Sequence, residues 1–309
     1  MPLPREDVTF ESAGLRCAAW LYRAPGPGPA PIVVMGHGLG ATRELGLEPY
    51  ARRFQEAGIT ALVFDYRHYG GSEGEPRELL SVGKQLADFR AAIAFAKTLP
   101  GVDPTRVAAW GSSFGGGHAT TLAAEGHGLA AAVAQVPFSD GLASTLRIPP
   151  LTALRVTFAA LGDLLSSAIG LGPRYLQLLG APGEAALMSA PDCLEGYGRM
   201  VPADARAAGR WNNRVTARTG LAVSFYAPAR RAGQIACPIL FCVAEGDSIA
   251  PAAPTSRAAR AAPRGELLTL PGGHFDYYQG AGFEQVVAAE VEFLTRHLGV
   301  APAADRPAG

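Results

Sequence analysis

The chain has 309 residues, of which 48% are hydrophobic, and its formal net charge at pH 7 is zero. A chain of this length and composition can bury the core of one large α/β domain and still carry an insertion. The balanced charge gives no electrostatic basis for binding nucleic acid or an anionic membrane, so we expect neither as a partner.

Residues 1–137 alternate between strand-like and helix-like patterns. Residues 31–36 form a continuous apolar run, which is typical of a strand buried on both faces. The rhythm predicts a mostly parallel sheet with helices on both faces. The predicted strands lie at 7–12, 16–23, 31–36, 59–66, 106–111 and 129–136, and the predicted helices at 48–58, 82–99 and 114–124.

The rhythm breaks between the two halves of the predicted sheet. Residues 138–236 read as helices and loops, and a structureless loop of that length is improbable inside a compact domain. We therefore expect a helical cap or lid inserted between two parts of the core, at 1–137 and 237–299.

The strand and helix rhythm resumes after the insertion. Strands are predicted at 238–244 and 266–270, and a helix at 282–298. Residues 300–309 are rich in Pro and Ala, and we expect a disordered tail there.

The predicted cap is strongly apolar. Its longest apolar stretch, 151–171, is interrupted by Arg155 and Asp163, so we expect a buried or lid helix there and no membrane-spanning helix. Such side chains would wall an apolar pocket above the sheet, pack the lid on the core, or form the face of a homodimer. The apolar side chains concerned are Leu142, Leu146, Ile148, Leu151, Leu154, Phe158, Leu161, Leu164, Leu165, Ile169 and Leu171.

A G-x-S-x-G motif centred on Ser113 follows the predicted strand at 106–111 directly. The glycines Gly111 and Gly115 suit a tight strand-to-helix turn, which holds a nucleophile in a strained backbone conformation. The start of the following helix directs free N–H groups at developing negative charge. Ser113 is therefore our candidate nucleophile, and the alternative is a structural Gly/Ser turn.

A serine nucleophile needs a base and an acid that orients the base. In strand-turn-helix hydrolases these follow the serine in the order acid, then histidine. Asp247 and His274 occur in that order, each just past the end of a predicted strand, where open α/β sheets place their sites. Glu245 shares the loop of Asp247 and is the alternative acid, whereas Asp276 is expected to have a supporting or surface position.

The other histidines are weaker candidates for the base. We expect His118 to be a helix or pocket residue, and His68 to lie in a turn. His127 is expected in a loop, and His297 at the surface near the end of the last helix.

A glycine-rich turn containing His37 follows the predicted strand at 31–36. Such a turn exposes backbone N–H groups, and we expect those of Leu39 and Phe114 to form an oxyanion hole. The turn lacks G-x-x-x-x-G-K-[S/T], so a nucleotide is not expected. Asp65 and Arg67 are expected to brace the pocket loops through buried hydrogen bonds, and Arg43 to be a solvated surface residue or to reach the mouth of the site.

The four cysteines indicate neither a metal site nor a required disulfide. They lack the C-x-x-C spacing of zinc ligands, so no metal or other cofactor is expected. The N-terminal residues lack the basic and apolar regions of a signal peptide. We therefore expect a cytoplasmic protein.

The combined motifs resemble the α/β-hydrolase superfamily over about residues 5–298, with a poor match in the insertion. The resemblance implies the α/β-hydrolase fold, with a mostly parallel eight-stranded sheet. Within the superfamily the chain is similar to the dienelactone-hydrolase-like and Xaa-Pro-peptidase-like branches, and to polyketide acyltransferases and thiohydrolases. The motifs are His37-Gly38, Asp65-Tyr66-Arg67, Gly70-Gly71-Ser72, Gly111–Gly115, Gly246-Asp247 and Gly273-His274.

The nucleophile separates the chain from some members of the superfamily. Dienelactone hydrolases use cysteine, and epoxide hydrolases and haloalkane dehalogenases use aspartate, where this chain has Ser113. We expect a serine-dependent hydrolase of carboxylic esters with small to medium apolar acyl groups. An acyltransferase or thioesterase acting on a polyketide-like acyl group, a peptidase, and a binding protein that retains the fold are the alternatives.

Overall fold

The computed structural model describes residues 4–300, so the predicted disordered tail at 300–309 lies almost entirely outside the described residues. Eleven strands and ten α-helices alternate along this part of the chain. The strands are β1 Arg5–Ser12, β2 Leu15–Tyr22, β3 Ala30–Gly36, β4 Thr60–Phe64, β5 Val102–Ser112, β6 Ala131–Gln135, β7 Tyr175–Leu179, β8 Ala186–Met188, β9 Val215–Thr216, β10 Ile239–Ala244 and β11 Gly265–Leu270. The helices are α1 Glu48–Glu56, α2 Val82–Ala96, α3 Phe114–Glu125, α4 Gly141–Thr145, α5 Pro150–Ala168, α6 Cys193–Met200, α7 Ala203–Ala207, α8 Thr219–Ser224, α9 Ala252–Ala261 and α10 Gly280–Leu298.

The main sheet has eight strands in the order β1-β2-β4-β3-β5-β6-β10-β11. The strands β4, β3, β5, β6, β10 and β11 are parallel, and β1 and β2 join one edge in antiparallel pairing. This confirms the predicted mostly parallel eight-stranded sheet. All carboxyl ends of the parallel strands therefore open at one edge, where the loops after β3, β5, β10 and β11 meet.

Both faces of the sheet are buried. In β3, Ile32 and Val34 belong to the core on one face, while Val33 and Met35 belong to the core on the other. Helices α2, α3 and α9 cover the first face, and α1 and α10 cover the second. Because β3 is buried on both faces, its residues at 31–36 are apolar without interruption.

The apolar pattern does not predict helix α9, which lies between β10 and β11. Its apolar side chains are those of five alanines and Pro254, so the helix has little of the large-residue periodicity by which a helix is recognised.

The segment between β6 and β10 lies outside the main sheet. It contains α4 to α8 and, in addition to the predicted helices, a small sheet in the order β8-β7-β9. The strands of this sheet are two to five residues long, which is too short for a clear alternation of polar and apolar residues. The domain boundaries at 138 and 236 stay a prediction.

Helix α5 has 19 residues and is long and apolar enough, by length and composition, to cross a membrane. It is the one helix within residues 4–300 that meets those criteria, and 28% of its apolar window is buried. The helix therefore has a narrow buried face and a broad exposed one.

The buried carboxyl group of Glu290 joins α10 to the sheet. It accepts a hydrogen bond from the indole N–H of Trp110 on β5 at 2.9 Å, and the thiol of Cys242 on β10 lies 3.8 Å from its other oxygen. Burial raises the pKa of Glu290 from 4.5 to about 8, although the bonds from Trp110 and Cys242 favour its charged form. The side chain is therefore held in the protein as a neutral acid at neutral pH.

We predict that Glu290→Gln reduces the loss of stability between pH 5 and pH 8. The folded protein keeps the proton on Glu290 up to about pH 8, whereas the unfolded chain loses it near pH 4.5, so rising pH favours unfolding in this window. Glutamine has no proton to lose, so the variant should gain on the order of 3 kcal/mol relative to the parent across the window. Urea unfolding at both pH values measures the difference, and parallel pH profiles of the two proteins would contradict it.

Candidate active site

Ser113 occupies the turn between β5 and α3. Its φ of 55° is positive, which is unfavourable for a residue with a Cβ atom and is tolerated only where the surroundings enforce it. A Cβ on Gly111 would overlap the backbone of Gly115, and one on Gly115 would overlap the carbonyl of Gly36 on β3. Both motif glycines are therefore required for the turn to pack against the sheet.

The three side chains predicted as nucleophile, base and acid lie in a row. The Nε2 atom of His274 is 3.0 Å from the Oγ of Ser113, and its Nδ1 is 2.7 Å from an oxygen of Asp247. The other oxygen of Asp247 accepts hydrogen bonds from the backbone N–H groups of Ile249 and Ala250, at 2.8 and 2.7 Å. These bonds hold the carboxylate in place against Nδ1. Because a carboxylate accepts hydrogen bonds, Nδ1 is the nitrogen that carries the proton, and Nε2 is free to accept one from Ser113.

The loops after β10 and β11 bring Asp247 and His274 together. Glu245, the alternative acid, is exposed, whereas Asp247 and His274 are both buried. Asp276 accepts a hydrogen bond from the N–H of Gly273 at 2.7 Å, which closes the turn that carries His274. The structure thus places Asp247 rather than Glu245 against the imidazole, and gives Asp276 a supporting position.

The backbone around Ser113 offers two candidate donors to an oxyanion. Phe114 is the first residue of α3, so its N–H has no acceptor within the helix. The Nδ1 of His37 lies 3.0 Å from the carbonyl oxygen of Gly38. Because that carbonyl and the N–H of Leu39 point in opposite directions across one planar trans peptide, the bond turns the Leu39 N–H away from His37. Leu39, Phe114 and Ser113 line the same cavity.

His37 therefore has a function that the sequence pattern does not reveal. The ring is completely buried, and burial lowers its pKa, so the imidazole is neutral and its single proton can sit on Nδ1. The hydroxyl of Tyr197 on α6 donates to the carbonyl of Leu39 at 3.1 Å, which holds the next peptide of the loop. A His-Gly pair after a buried strand is the sequence signal for the loop, but it does not show which atoms the ring contacts.

A cavity of about 540 Å³ opens at Ser113. Its wall is mainly apolar, and it lies between the strand-end loops and the segment inserted after β6. The charged side chain among the described residues of its wall is that of Arg147. The apolar and thiol residues of the wall are Leu39, Phe114, Phe138, Ile148, Pro149, Ala153, Val156, Pro182, Leu187, Met188, Ala190, Pro191, Cys193, Val223 and Ile249.

Most of the apolar side chains expected to wall this cavity do not reach it. Among those predicted, Ile148 lines the cavity, while the rest are not in its wall, and the prediction is wrong for them. For the residues of α5 the reason is the orientation of the helix, which turns Ala153, Val156 and Thr157 toward the cavity and its large residues toward solvent. The exposed residues are Leu142, Leu146, Leu151, Leu154, Phe158, Leu161, Leu164, Leu165, Ile169 and Leu171.

The four histidines that are weaker candidates for the base do not contact the hydroxyl of Ser113. His118 is buried in α3, where it contacts Gln85 and Tyr226, and burial lowers its pKa to about 3. His68 lies in a turn, as expected. His127 and His297 contact the carboxylates of Glu125 and Glu266.

Asp65 and Arg67 form the expected buried bonds, but with separate partners. Arg67 pairs with Asp88 at 2.6 Å, and Asp65 accepts from the N–H groups of Arg43 and Gly71. The expectation that Arg43 is a solvated surface residue is wrong. Its side chain is 14% exposed and lies over the ring of Trp20, with Asp65 at 3.6 Å.

Three further hydrogen bonds support the site. The hydroxyl of Ser112 meets that of Tyr278 at 2.5 Å and accepts from the amide of Gln135 at 3.2 Å. Ser248, beside Asp247, donates to Asp192 at 2.6 Å, which ties the acid loop to the inserted segment. No sequence motif marks these pairs, because their members are far apart in the chain.

Within residues 4–300, no group of three or more His, Cys, Asp or Glu side chains is placed to hold a metal ion.

The sheet and the arrangement at the strand ends define the class of the protein as an α/β hydrolase. The model of the serine aminopeptidase S33 family matches residues 27–274, and the chain belongs to this family. The predicted resemblance to the α/β-hydrolase superfamily is therefore confirmed.

Several curated proteins and solved structures are similar to this chain. The quorum-quenching protein AidA of Acinetobacter baumannii is 43% identical over 290 residues, which cover 94% of each chain. The polyketide transferase grgF of Penicillium sp. is 34% identical over 218 residues, or 70% of each chain. A thiohydrolase of Eupenicillium brefeldianum is 29% identical over 97% of this chain and 98% of its own.

The crystal structure of the α/β hydrolase GrgF from Penicillium sp. sh18 superposes with a TM-score of 0.80 at 28% identity. The superposition covers 96% of this chain and all of that one. The predicted similarity to polyketide transferases and thiohydrolases is thus confirmed as well.

We predict that Asp247→Asn lowers kcat about 10⁴-fold, because an amide at this position favours the wrong tautomer of His274. The matched control is Glu245→Gln, which removes the neighbouring, exposed carboxylate and should change kcat by less than a few-fold. Steady-state hydrolysis of a p-nitrophenyl ester measures both. A large loss in Glu245→Gln with little loss in Asp247→Asn would reverse the assignment of the acid.

We also predict that His37→Ala lowers kcat by about 10-fold to 100-fold with little change in KM. Its loss frees the Gly38–Leu39 peptide to rotate, and the oxyanion then loses part of one donor. His37→Asn should retain most of the activity, because its amide can place a donor near the position of Nδ1. Equal losses in both variants, with unchanged circular dichroism, would show that the ring does not act through this hydrogen bond.

Proposed function

We propose that this protein is a serine-dependent carboxylic ester hydrolase for esters with small to medium apolar acyl groups. The observation that carries the proposal is the row of hydrogen bonds from Ser113 through His274 to Asp247, at the mouth of a mainly apolar cavity. A hydroxyl so placed can be activated by the imidazole, and the cavity of about 540 Å³ offers room for the acyl group.

The reaction follows from the positions of these groups. The Oγ of Ser113 attacks the ester carbonyl while His274 Nε2 takes its proton, and Asp247 stabilises the resulting imidazolium. The N–H groups of Leu39 and Phe114 donate to the oxyanion of the tetrahedral intermediate. The intermediate collapses to an acyl-enzyme as His274 gives its proton to the leaving alkoxide. His274 then removes a proton from water, which attacks the acyl-enzyme, and the proton returns to Ser113 as the acid leaves.

The electrostatics of the cavity favour neutral substrates over aminopeptides. An aminopeptidase must hold a free α-ammonium group, and burying that charge without a partner is costly. The described wall of the cavity contains the cation of Arg147 and neither Asp nor Glu. We therefore propose an ester rather than an N-terminal amide as the substrate, although the family is named for aminopeptidases.

Acyl transfer or thioester hydrolysis is the alternative reaction, with a polyketide-like or other secondary-metabolite acyl group. The relatives named polyketide transferase and thiohydrolase support it. The same three side chains would form the same acyl-enzyme, and the reactions differ only in the leaving group and in the acceptor. The partition of the acyl-enzyme between water and a dilute added alcohol or amine separates transfer from hydrolysis.

A quorum-quenching role is a second candidate for the biological function. It is supported by 43% identity with the quorum-quenching protein AidA along 94% of both chains. Ester hydrolysis would serve this role if a signalling molecule contained an ester or a lactone, which is a cyclic ester. Loss of signal from a bacterial reporter strain, with the wild-type protein and not with Ser113→Ala, tests it.

We further propose that the protein acts on small molecules. We also propose that it is cytoplasmic, since all four cysteines are buried and unpaired.

We predict that Ser113→Ala abolishes hydrolysis of p-nitrophenyl esters and labelling by a fluorophosphonate. The neighbouring Ser112→Ala is the matched control and should still be labelled, because the Ser112 hydroxyl is engaged with Tyr278 and Gln135. Mass mapping should place the label on Ser113. Residual labelling of Ser113→Ala at the wild-type rate would show that the nucleophile is elsewhere.

The same assay with a panel of substrates tests the proposed substrate class. The ester series should show an optimum at short to medium acyl chains, and leucine p-nitroanilide should be cleaved at least about 100-fold less efficiently than the best ester, corresponding to roughly 3 kcal/mol. Preference for the anilide would replace the esterase proposal with an aminopeptidase.

A further inference from the structure

The outward face of α5 carries a regular row of large apolar side chains. These five residues, called the α5 seam below, follow one another at spacings of three and four, and they are 50–64% exposed. The seam consists of Leu151, Leu154, Phe158, Leu161 and Leu165. The helix packs on the protein through its opposite side, where Thr152, Val156, Ala160, Asp163 and Ser166 are buried.

The exposed apolar surface around the seam is larger than a monomer usually tolerates. With Leu142, Leu146, Leu164, Ile169 and Leu171, ten large apolar side chains are 44–77% exposed. Together they expose roughly 1,000 Å², compared with about 300–600 Å² for the largest patch of a typical monomer and about 800 Å² per partner in a standard interface. An interface of ordinary size would cover most of this exposed apolar surface.

The chemistry of the helix favours another protein helix over a lipid surface as the occupant. Spacings of three and four average 3.5 residues, which produces the straight seam of a coiled coil. A helix that lies in a membrane interface usually has a polar face rich in Lys and Arg. Within Pro150–Ala168 the charged residues are Arg155 and Asp163, and Asp163 is buried in an ion pair with Arg218 at 2.7 Å.

We propose that the α5 seam docks against the α5 seam of a second copy of this chain, with the two helices antiparallel around a twofold axis through the middle of α5. The four central and C-terminal seam positions are self-complementary in this arrangement, because the axis places Phe158 opposite Leu161 and Leu154 opposite Leu165. The facing pairs are Phe158 with Leu161, Leu154 with Leu165, and Leu151 with Ala168, each joining one protomer to its partner.

The charge on the helix is compatible with this pairing. Arg155 is the exposed charge of α5. In the antiparallel pair, Arg155 of one protomer and Arg155 of the other lie nine helical positions apart, or about 13 Å along the helix axis. That distance exceeds the Debye length of about 8 Å at physiological ionic strength, so their repulsion is largely screened. The aliphatic stem of Arg155 would then lie over Leu164 of the other protomer, itself an exposed apolar residue.

The test is the oligomeric state of the full chain at micromolar concentration, measured by sedimentation equilibrium. The wild-type protein should have twice the monomer mass of 32.1 kDa. Phe158→Arg should raise the dimer dissociation constant at least about 30-fold, because it buries a charge at the centre of the interface. The matched control is Leu267→Arg, which changes an exposed leucine on β11 and should leave the dimer intact.

Cysteine cross-linking tests the register without a destabilising charge. A mixture of Phe158→Cys and Leu161→Cys should form an intermolecular disulfide under mild oxidation, whereas each variant alone should form much less. The four native cysteines are buried and should not contribute. Fluorophosphonate labelling of each variant at the wild-type rate shows that it is folded.

Four results would overturn the proposal. These are a wild-type protein that is monomeric at all accessible concentrations, a dimer that is insensitive to Phe158→Arg, a dimer that Leu267→Arg disrupts, and a self-cross-link of Phe158→Cys that exceeds the mixed one. A monomeric wild-type protein that floats with phosphatidylcholine vesicles would assign the patch to a membrane surface instead.

Discussion

One backbone contact organises the candidate site. The first turn of α3 lies so close to the end of β3 that a Cβ on Gly115 would overlap the carbonyl of Gly36. This contact forces a positive φ at Ser113, at a cost of about 1–3 kcal/mol, which the packing of the almost completely buried helix α3 offsets. It also sets the loop after β3 beside the nucleophile. The hydroxyl and both candidate oxyanion donors therefore depend on the same close packing.

The residues of the site were accessible from the sequence because they follow from topology. A parallel sheet brings all of its strand ends to one edge, so a serine after β5, an acid after β10 and a histidine after β11 must approach one another. Such an argument cannot decide which of two carboxylates in the same loop, Glu245 or Asp247, faces the histidine. Only the structure shows that Asp247, whose carboxylate is held by two backbone N–H groups, faces His274 while Glu245 faces solvent.

The inserted segment shows where sequence reasoning fails. The pattern identifies α5 as a helix, but it does not decide whether the apolar side lines a pocket, packs on the core or forms a dimer face, and the structure exposes the large apolar side chains. Asp163 explains this orientation, because its carboxylate accepts bonds from the backbone of Arg174 and Arg218 as well as from the guanidinium of Arg218. A satisfied buried ion pair holds the polar side of the helix inward. Neither partner is near the other in sequence, so periodicity alone cannot predict the pair.

The wall of the cavity contains a thiol as well as the serine hydroxyl. Cys193 lines the same space as Ser113, and burial raises the pKa of its thiol to about 12. A thiol reacts as its thiolate, which is scarce at neutral pH when the pKa is so high. Cys193 is also fully buried, whereas Ser113 is partly exposed, so an electrophile entering the cavity meets the hydroxyl in preference to the thiol. Alkylating reagents such as iodoacetamide should spare the protein at neutral pH, and covalent inhibitors should be selective for the serine even though a cysteine is within the same chamber.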